Sequence, residues 1–419
     1  MRKLVLSLFV SLLPFCIQAQ GYLPLSCDST TFHADDARSF AGICSEKKIV
    51  GLGEATHGTS EFVRAKSELV KALVQHADFR ILAFETGIDA YLINNYLTGK
   101  SDDLASPMRG FYLIYHTREF IDLLRWLRDY NRTIPKSEQV IVYGFDSQHI
   151  GSLPDLVLDY LQEVDPVFLK EAQSRLDNLR TKLEPRKKHQ YLDDLELIRT
   201  RVNDRKNIYL KHASEEKFDL MLKILDAMTS AVQQSTLGNN HGTKAQSMRD
   251  NEMLQNIQWI VNRASHNGKV IIWAHNGHIQ KVNFDLKRKD HFRLGQGLYQ
   301  VFDTLYYAIG LDFDKGSFNA VNYQNGATMQ ACQVANEKAD SFAAIFAHVS
   351  FPCYFLDFGS MTPADRENLS KANCMREAGI GFSGEQYTFA KLNIKAAFDG
   401  IVFIKNTSAT TFLDVRKVK

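Results

Sequence analysis

Four short apolar runs, each breaking off into ionisable residues, constrain this 419-residue chain more than any other feature. Lys48–Gly53, Arg80–Phe84, Gln139–Tyr143 and Lys269–Trp273 are rich in Val and Ile, as expected of strands covered on both faces. Helical spacing fills the gaps between them. After Ser60, a candidate N-cap, Phe62, Ala65, Leu69, Leu73 and Val74 fall on one helix face, and Leu123, Leu124 and Leu127 do so within Phe120–Tyr130. Strand–helix alternation implies parallel pairing through right-handed crossovers. The expected fold class is therefore α/β, a largely parallel central sheet flanked by helices. Leu305–Leu311, Cys353–Leu356 and Gly400–Ile404 read as further strands.

From Pro166 to about Ser235 the character changes: glycine is absent, Lys, Arg, Glu and Leu abound, and Pro185 is the one interior breaker. This predicts a helical insertion over about 165–240, with two or three long helices forming a cap. A coiled-coil surface is the rival reading, but strict heptads are not sustained. Leu237–Thr243 reads as a loop returning the chain to the core. No repeat or low-complexity tract interrupts the pattern.

Residues 1–19 have the makings of a secretory signal: Arg2 and Lys3, then an apolar stretch from Leu4 to Ile17, then Gln18-Ala19-Gln20 as a cleavage point. Phe15 argues against lipidation of Cys16, since a small residue is expected there. A mature domain over 20–419, periplasmic or secreted, is the expectation, and no later apolar run is long enough to span a membrane. Removing Arg2 and Lys3 leaves 48 basic and 48 acidic residues, a balance with no electrostatic footprint for nucleic acid. Lys287-Arg288-Lys289 is a local basic run that a solvated loop accounts for. Cys27, Cys44, Cys332, Cys353 and Cys374 remain, enough for one or two disulfides in an oxidising compartment, with at least one thiol left over. Oligomeric state is left open.

The strand exits carry the chemistry. The first leads into Gly53-Glu54-Ala55-Thr56-His57-Gly58, the second into Glu85-Thr86-Gly87, the third into Gly144-Phe145-Asp146, and the fourth into Ala274-His275-Asn276-Gly277-His278. In an open parallel sheet these ends share one edge, where ligands bind. Two glutamates, an aspartate and three histidines are thus expected to converge. Asp146 fits either a brace for its loop or a direct participant, and His278 either contacts substrate or orients a neighbour. His275-x-x-His278 has the spacing of a metal-ligand pair, but no His-Glu-x-x-His helix accompanies it, and the metal-free reading is preferred. No Gly-x-Ser-x-Gly elbow marks a serine nucleophile. Gly51-x-Gly53 and Gly295-x-Gly297 complete no nucleotide fingerprint.

Gly53-Glu-Ala-Thr-His-Gly58 with Glu61-Phe62, Phe84-Glu85-Thr86-Gly87 and Ala274-His-Asn-Gly-His-Ile279 resemble motifs of the erythromycin esterase family. The resemblance continues in Trp126-Leu-Arg-x-Tyr-Asn131, Met248-Arg-Asp250, Tyr306-Tyr-Ala-Ile-Gly310 and Ala397-Phe-Asp-Gly-Ile401, and so covers most of the mature chain. It implies hydrolysis of a small-molecule ester or macrolactone, with His57 the base that activates water. Glu54 and Glu85 match active-site carboxylates, and His275 and His278 match paired histidines. Lys66, Asp146 and Arg249 are the candidate substrate-binding residues. Lys66 departs from the family pattern: a resistance enzyme has arginine there, and lysine keeps the charge but loses the planar fork. The expected function is an exported carboxylic-ester hydrolase using no cofactor. Protonated His275 or His278, with Lys66, would stabilise the oxyanion, and the helical insertion would cap the cleft. A metal-dependent hydrolase of another ester is one alternative. A non-catalytic envelope or polysaccharide-related binding protein is another.

Overall fold

In chain order the strands are β1 (Tyr22–Pro24), β2 (Ile49–Leu52), β3 (Ile81–Gly87), β4 (Ile141–Asp146), β5 (Val270–Trp273) and β6 (Tyr306–Asn322), then β7 (Thr328–Val334), β8 (Cys353–Asp357), β9 (Asn373–Arg376), β10 (Gly381–Phe382), β11 (Phe389–Leu392) and β12 (Gly400–Thr407). They come from a computed structural model that describes residues 21–25, 32–237, 242–263, 267–282, 291–335, 338–370 and 373–417. The expected leader, Cys27 and the Lys287–Lys289 run lie outside the described residues.

One sheet runs β1-β8-β12-β6-β2-β5-β3-β4, with β7 and β10 also paired to β6, while β9 and β11 form a separate ribbon. The six neighbours from β12 to β4 are parallel; β8 joins β12, β1 joins β8 and β7 joins β6 antiparallel. The protein is thus mixed α/β, with the parallel core expected from strand–helix alternation. All four early strands are present, with ends shifted by up to three residues from the apolar runs.

Alternate residues of the central strands feed two cores. Val50, Leu52, Leu82, Phe84 and Ile271 pack with Phe62, Leu69 and Leu73 of the helix Ser60–His76 and with Leu124 and Leu127 of the helix Arg118–Arg132. Ile49, Ile81, Ala83 and Ile272 face Met253, Ile257 and Ile260 of the helix Gly242–Arg263. Such two-sided burial is what makes parallel strands read as unbroken apolar runs. Ser60 is the first helical residue rather than the cap. Its hydroxyl donates to Glu119 at 2.8 Å, which ties two helices together instead of closing its own N-terminus.

The glycine-free segment holds the helices Pro166–Leu176, Lys188–Asp204 and Glu215–Ser235. With the preceding helix Leu153–Val164 they share a third apolar core around Leu161, Leu195, Ile198, Phe218 and Leu225. Two of them are capped by side chains: Asp165 accepts from Phe168 N and Ser214 from Lys217 N. The segment is moored beside the exit of β4. Lys223 donates to Asn256 Oδ1 (3.1 Å), and Asn256 Nδ2 donates to Phe145 O (3.0 Å) and Ser147 Oγ (3.2 Å). Of the expected loop at Leu237–Thr243, residues 238–241 lie outside the described residues, and Gly242 and Thr243 already belong to the next helix.

No disulfide joins Cys44, Cys332, Cys353 and Cys374 to one another; all four are buried. The one or two disulfides that the sequence allowed are not formed among these four: Cys44, Cys332 and Cys353 instead pack in one apolar core as small hydrophobes. Among the described residues no helix is long and apolar enough to cross a membrane.

Gly58 shows how closely the β2 exit is wedged against β6. Its carbonyl accepts from Asn319 N and Thr410 N, each at 3.0 Å, and a Cβ there would collide with the Asn319 backbone. Gly58→Ala is expected to cost about 1–3 kcal/mol, the usual range for overpacking. The check is a lower denaturation midpoint at unchanged slope; an unchanged midpoint would show that β6 yields freely.

Candidate active site

Glu54 and His57 follow β2, Glu85 lies in β3, Asp146 ends β4, and His275 and His278 follow β5. All therefore sit at the carboxyl edge of the parallel strands. Asn276 draws two of these exits together. Its backbone N–H donates to Glu54 O (2.9 Å), and its buried side chain bridges Leu311 of β6, donating to O at 2.8 Å and accepting from N at 3.0 Å. Arg249 arrives from a different layer, on the helix Gly242–Arg263. The five residues expected to share a cleft, Glu54, His57, Glu85, His275 and His278, are brought together with Arg249 and Lys66.

Two ionic groups make up the site. In the first, Glu54 is held between His57 Nδ1, 2.7 Å from Oε1, and Lys66 Nζ, 2.6 Å from Oε2. Lys66 is fully buried, with Nζ 4.1 Å above the centre of the Trp273 ring. Burial pulls its pKa down to about 8, against the pull of Glu54. It lies between Glu54 and an indole face. A carboxylate on Nδ1 fixes the hydrogen there and leaves Nε2 of His57 as the basic nitrogen. The His57 and His275 ring centres are 5.1 Å apart.

In the second group Arg249 is the hub. It donates to Asp146 through Nε (3.0 Å) and Nη2 (2.8 Å), to Glu85 Oε1 through Nη2 (2.6 Å), and approaches His278 Nε2 through Nη1 (3.1 Å). Despite burial, His278 and Arg249 hold Glu85 well below the usual carboxylate range, and Arg249 also lowers the pKa of Asp146 against its burial. Asp146 is buried beneath the guanidinium and also accepts from Tyr112 Oη (3.1 Å) and Gln148 Nε2 (2.7 Å). It braces Arg249. Glu85 Oε2 accepts the backbone N–H of His275 at 2.9 Å, which couples the two strand exits.

The two histidines of the β5 exit differ in charge. Burial, followed by repulsion from His57, keeps His275 well below the ordinary imidazole value, so it is neutral. For His278 burial also opposes charge, but Asp250, 2.6 Å from Nδ1, and Glu85, 3.3 Å from Nε2, lift its pKa to about 9. His278 is therefore the cationic member of the pair. Its folded-state pKa exceeds the ordinary 6.5, so its contribution to stability is complete below that value and is lost as the pH rises through about 9. Asp250→Asn is expected to lower the His278 midpoint, measurable by histidine NMR; an unmoved midpoint would mean that Asp250 does not set it.

Asp250, Asn276 and Glu377 are the site residues that sequence reasoning passed over. Asp250 and Asn276 lie inside Met248–Asp250 and Ala274–Ile279, where a polar residue beside a charged one was the available signal. Glu377 follows β9, in a ribbon that the apolar pattern did not reveal. Among the described residues, no group of three or more His, Cys, Asp or Glu side chains is placed to hold a metal ion.

A mixed α/β core whose strand ends gather imidazoles and carboxylates around one guanidinium defines the class to which the comparisons point. The erythromycin esterase family model matches residues 74–407, and the chain belongs to that family. It is 22% identical to a putative hydrolase of Bacillus subtilis (strain 168), aligned over 92% of this chain and 90% of that one. It is also 22% identical to erythromycin esterase type II of Escherichia coli, over 93% and 96%. A Bacillus cereus protein of solved structure superimposes with a TM-score of 0.82 at 23% identity, over 94% of this chain and 97% of that one. A mutant erythromycin esterase in its open conformation gives 0.70 at 14%, over 94% and 99%. At those identities the likeness to the solved structures concerns the fold alone. Family membership and the relatives' names support a hydrolase acting on a small molecule.

Proposed function

We propose that this chain is an exported carboxylic-ester hydrolase that opens a macrolide-type lactone with water activated by His57. The observation that carries this reading is the Glu54–His57 contact of 2.7 Å, which orients the imidazole and leaves Nε2 to take a proton. Nε2 removes a proton from water as its oxygen adds to the ester carbonyl. The oxyanion forms beside the Arg249 guanidinium and cationic His278, whose charges are already in place. The acyl C–O bond then breaks, and the His57 imidazolium returns its proton to the departing alkoxide. A positioned base of this kind contributes about 10²–10⁴ in rate. Lys66 and Asp146 act behind this layer, Lys66 by holding Glu54 and Asp146 by holding Arg249. The helical segment moored beside β4 supplies the cap over the pocket.

Export rests on the charged, apolar and small-residue order of residues 1–19. The metal-free mechanism rests on the charges already present: Glu85 and Asp146 are engaged by Arg249, which supplies the positive charge that an ion would otherwise bring, and cationic His278 offers no lone pair to a metal. The test is incubation of the mature protein with erythromycin and a panel of simple esters, read by mass spectrometry for addition of water. Activity is expected to survive prolonged chelation. No hydrolysis of any ester would overturn the reading, and recovery only on adding zinc or manganese would overturn the metal-free step.

A further inference from the structure

Glu377 lies outside every motif that marks the cleft, yet the chain around it is bonded to the β2 exit. Ala378 N and Gly379 N both donate to Ala55 O, at 2.8 and 3.2 Å, and His57 N donates to Gly379 O at 3.3 Å. The Glu377 side chain is 8% exposed, and its Oε2 lies 3.3 Å from His275 Nδ1. Its Oε1 is buried with no hydrogen-bond partner.

The contacts of the His275 ring define where its hydrogen sits. The backbone N–H of Gly277 can only donate, and it points at Nδ1 across 3.2 Å. Nδ1 therefore presents a lone pair. Nε2 faces the carbonyl of Ala55 at 3.2 Å, which can only accept, so Nε2 carries the hydrogen. An ionised carboxylate beside the Nδ1 lone pair would be repelled by it, whereas a carboxylic acid would donate to it. We propose that Glu377 is a positioning residue for His275: its protonated carboxyl donates to Nδ1 and pins the ring as the neutral Nε2–H tautomer. The consequence for catalysis rests on the esterase reading of the cleft; the tautomer itself does not.

The surroundings of the pair act in the same sense. Burial pushes the Glu377 carboxyl up to about 8, with Arg293 and His278 opposing and Asp312 reinforcing the shift. His275 is kept neutral by burial and by His57 and His278, while Glu85 pulls the other way. Below about pH 8 the acid donates to Nδ1. Above it the carboxylate would instead draw a proton onto Nδ1, and the ring would lose its fixed form.

The test uses full-length mature protein labelled with 15N-histidine, as wild type, Glu377→Gln and Glu377→Ala, read by long-range 1H–15N NMR. Wild type is expected to show His275 as the Nε2–H tautomer at about neutral pH, with a step in its ring shifts near the Glu377 midpoint. Glu377→Gln keeps an N–H donor, so it should retain that tautomer and lose the step. Glu377→Ala should give mixed tautomers. In turnover, Glu377→Gln should stay within about threefold of wild type, while Glu377→Ala lowers kcat about tenfold with little change in KM. A His275 tautomer identical in wild type and Glu377→Ala, or a step that persists in Glu377→Gln, would overturn the inference even in a fully active esterase. A wild type that hydrolyses no ester would remove the function reading and leave the tautomer result standing.

Discussion

Replacing His57 with Asn is expected to cripple turnover while leaving the fold intact: kcat should fall by about 10²–10⁴, the contribution of a positioned base. Asn retains a polar group opposite Glu54, so the Glu54–Lys66 pair at 2.6 Å keeps its surroundings. The lost interaction belongs to the transition state, so kcat should collapse far more than KM rises. A thermal melt run beside the kinetics separates chemistry from folding. A variant that melts well below wild type would make His57 a structural residue, and one that keeps full activity would remove it from the mechanism.

Arg249→Met should be the most destabilising change in the cleft. The guanidinium is the counter-charge for two carboxylates, Glu85 and Asp146, whose side chains are 6% and 0% exposed. Removing one partner of a buried pair costs about 3–5 kcal/mol, because the remaining charge is stranded away from water. The loss should depend on pH with a defined sign. Both carboxylates titrate below their ordinary values of 4.5 and 3.8. Their stabilisation is thus present above those values and lost as the pH falls through the folded-state pKa. Chemical denaturation should show the widest gap between wild type and variant at neutral pH, narrowing in acid. Arg249→Lys should recover part of the stability but less of the activity, since an ammonium cannot bridge Asp146 and Glu85 with one planar fork. A neutral-pH difference below about 0.5 kcal/mol, the usual range for exposed substitutions, would show that the cluster is solvated rather than buried.

The core strands were legible because two-sided burial leaves a local signature, a short run of Val and Ile. β6 was seen only in part. The apolar reading ended at Leu311, but the strand continues to Asn322 through Asp312, Asp314 and Lys315. Asp312 to Lys315 run along β12, and Gly316 to Asn322 then pair with β7; the polar residues broke the apolar signal although the strand went on. The helical segment over 166–235 was visible in the loss of glycine. Its mooring through Asn256 to the β4 exit was not, because Asn256 and Phe145 are far apart in the chain.

Glu54, His57, Glu85, His275 and His278 could be named as neighbours from sequence because parallel strands deliver their ends to one edge. Sequence thereby determined the α/β class, the edge on which chemistry gathers and the residue types available there. Only the tertiary structure decided their states. It put Lys66 behind Glu54 and Asp146 beneath Arg249, made His278 cationic and His275 neutral, and brought Glu377 from outside every motif to the imidazole. The reason is physical: a local pattern records which face of a strand or helix avoids water. A protonation state records desolvation and the distance to charges that only the folded chain brings within 3 or 4 Å, the range where such charges dominate.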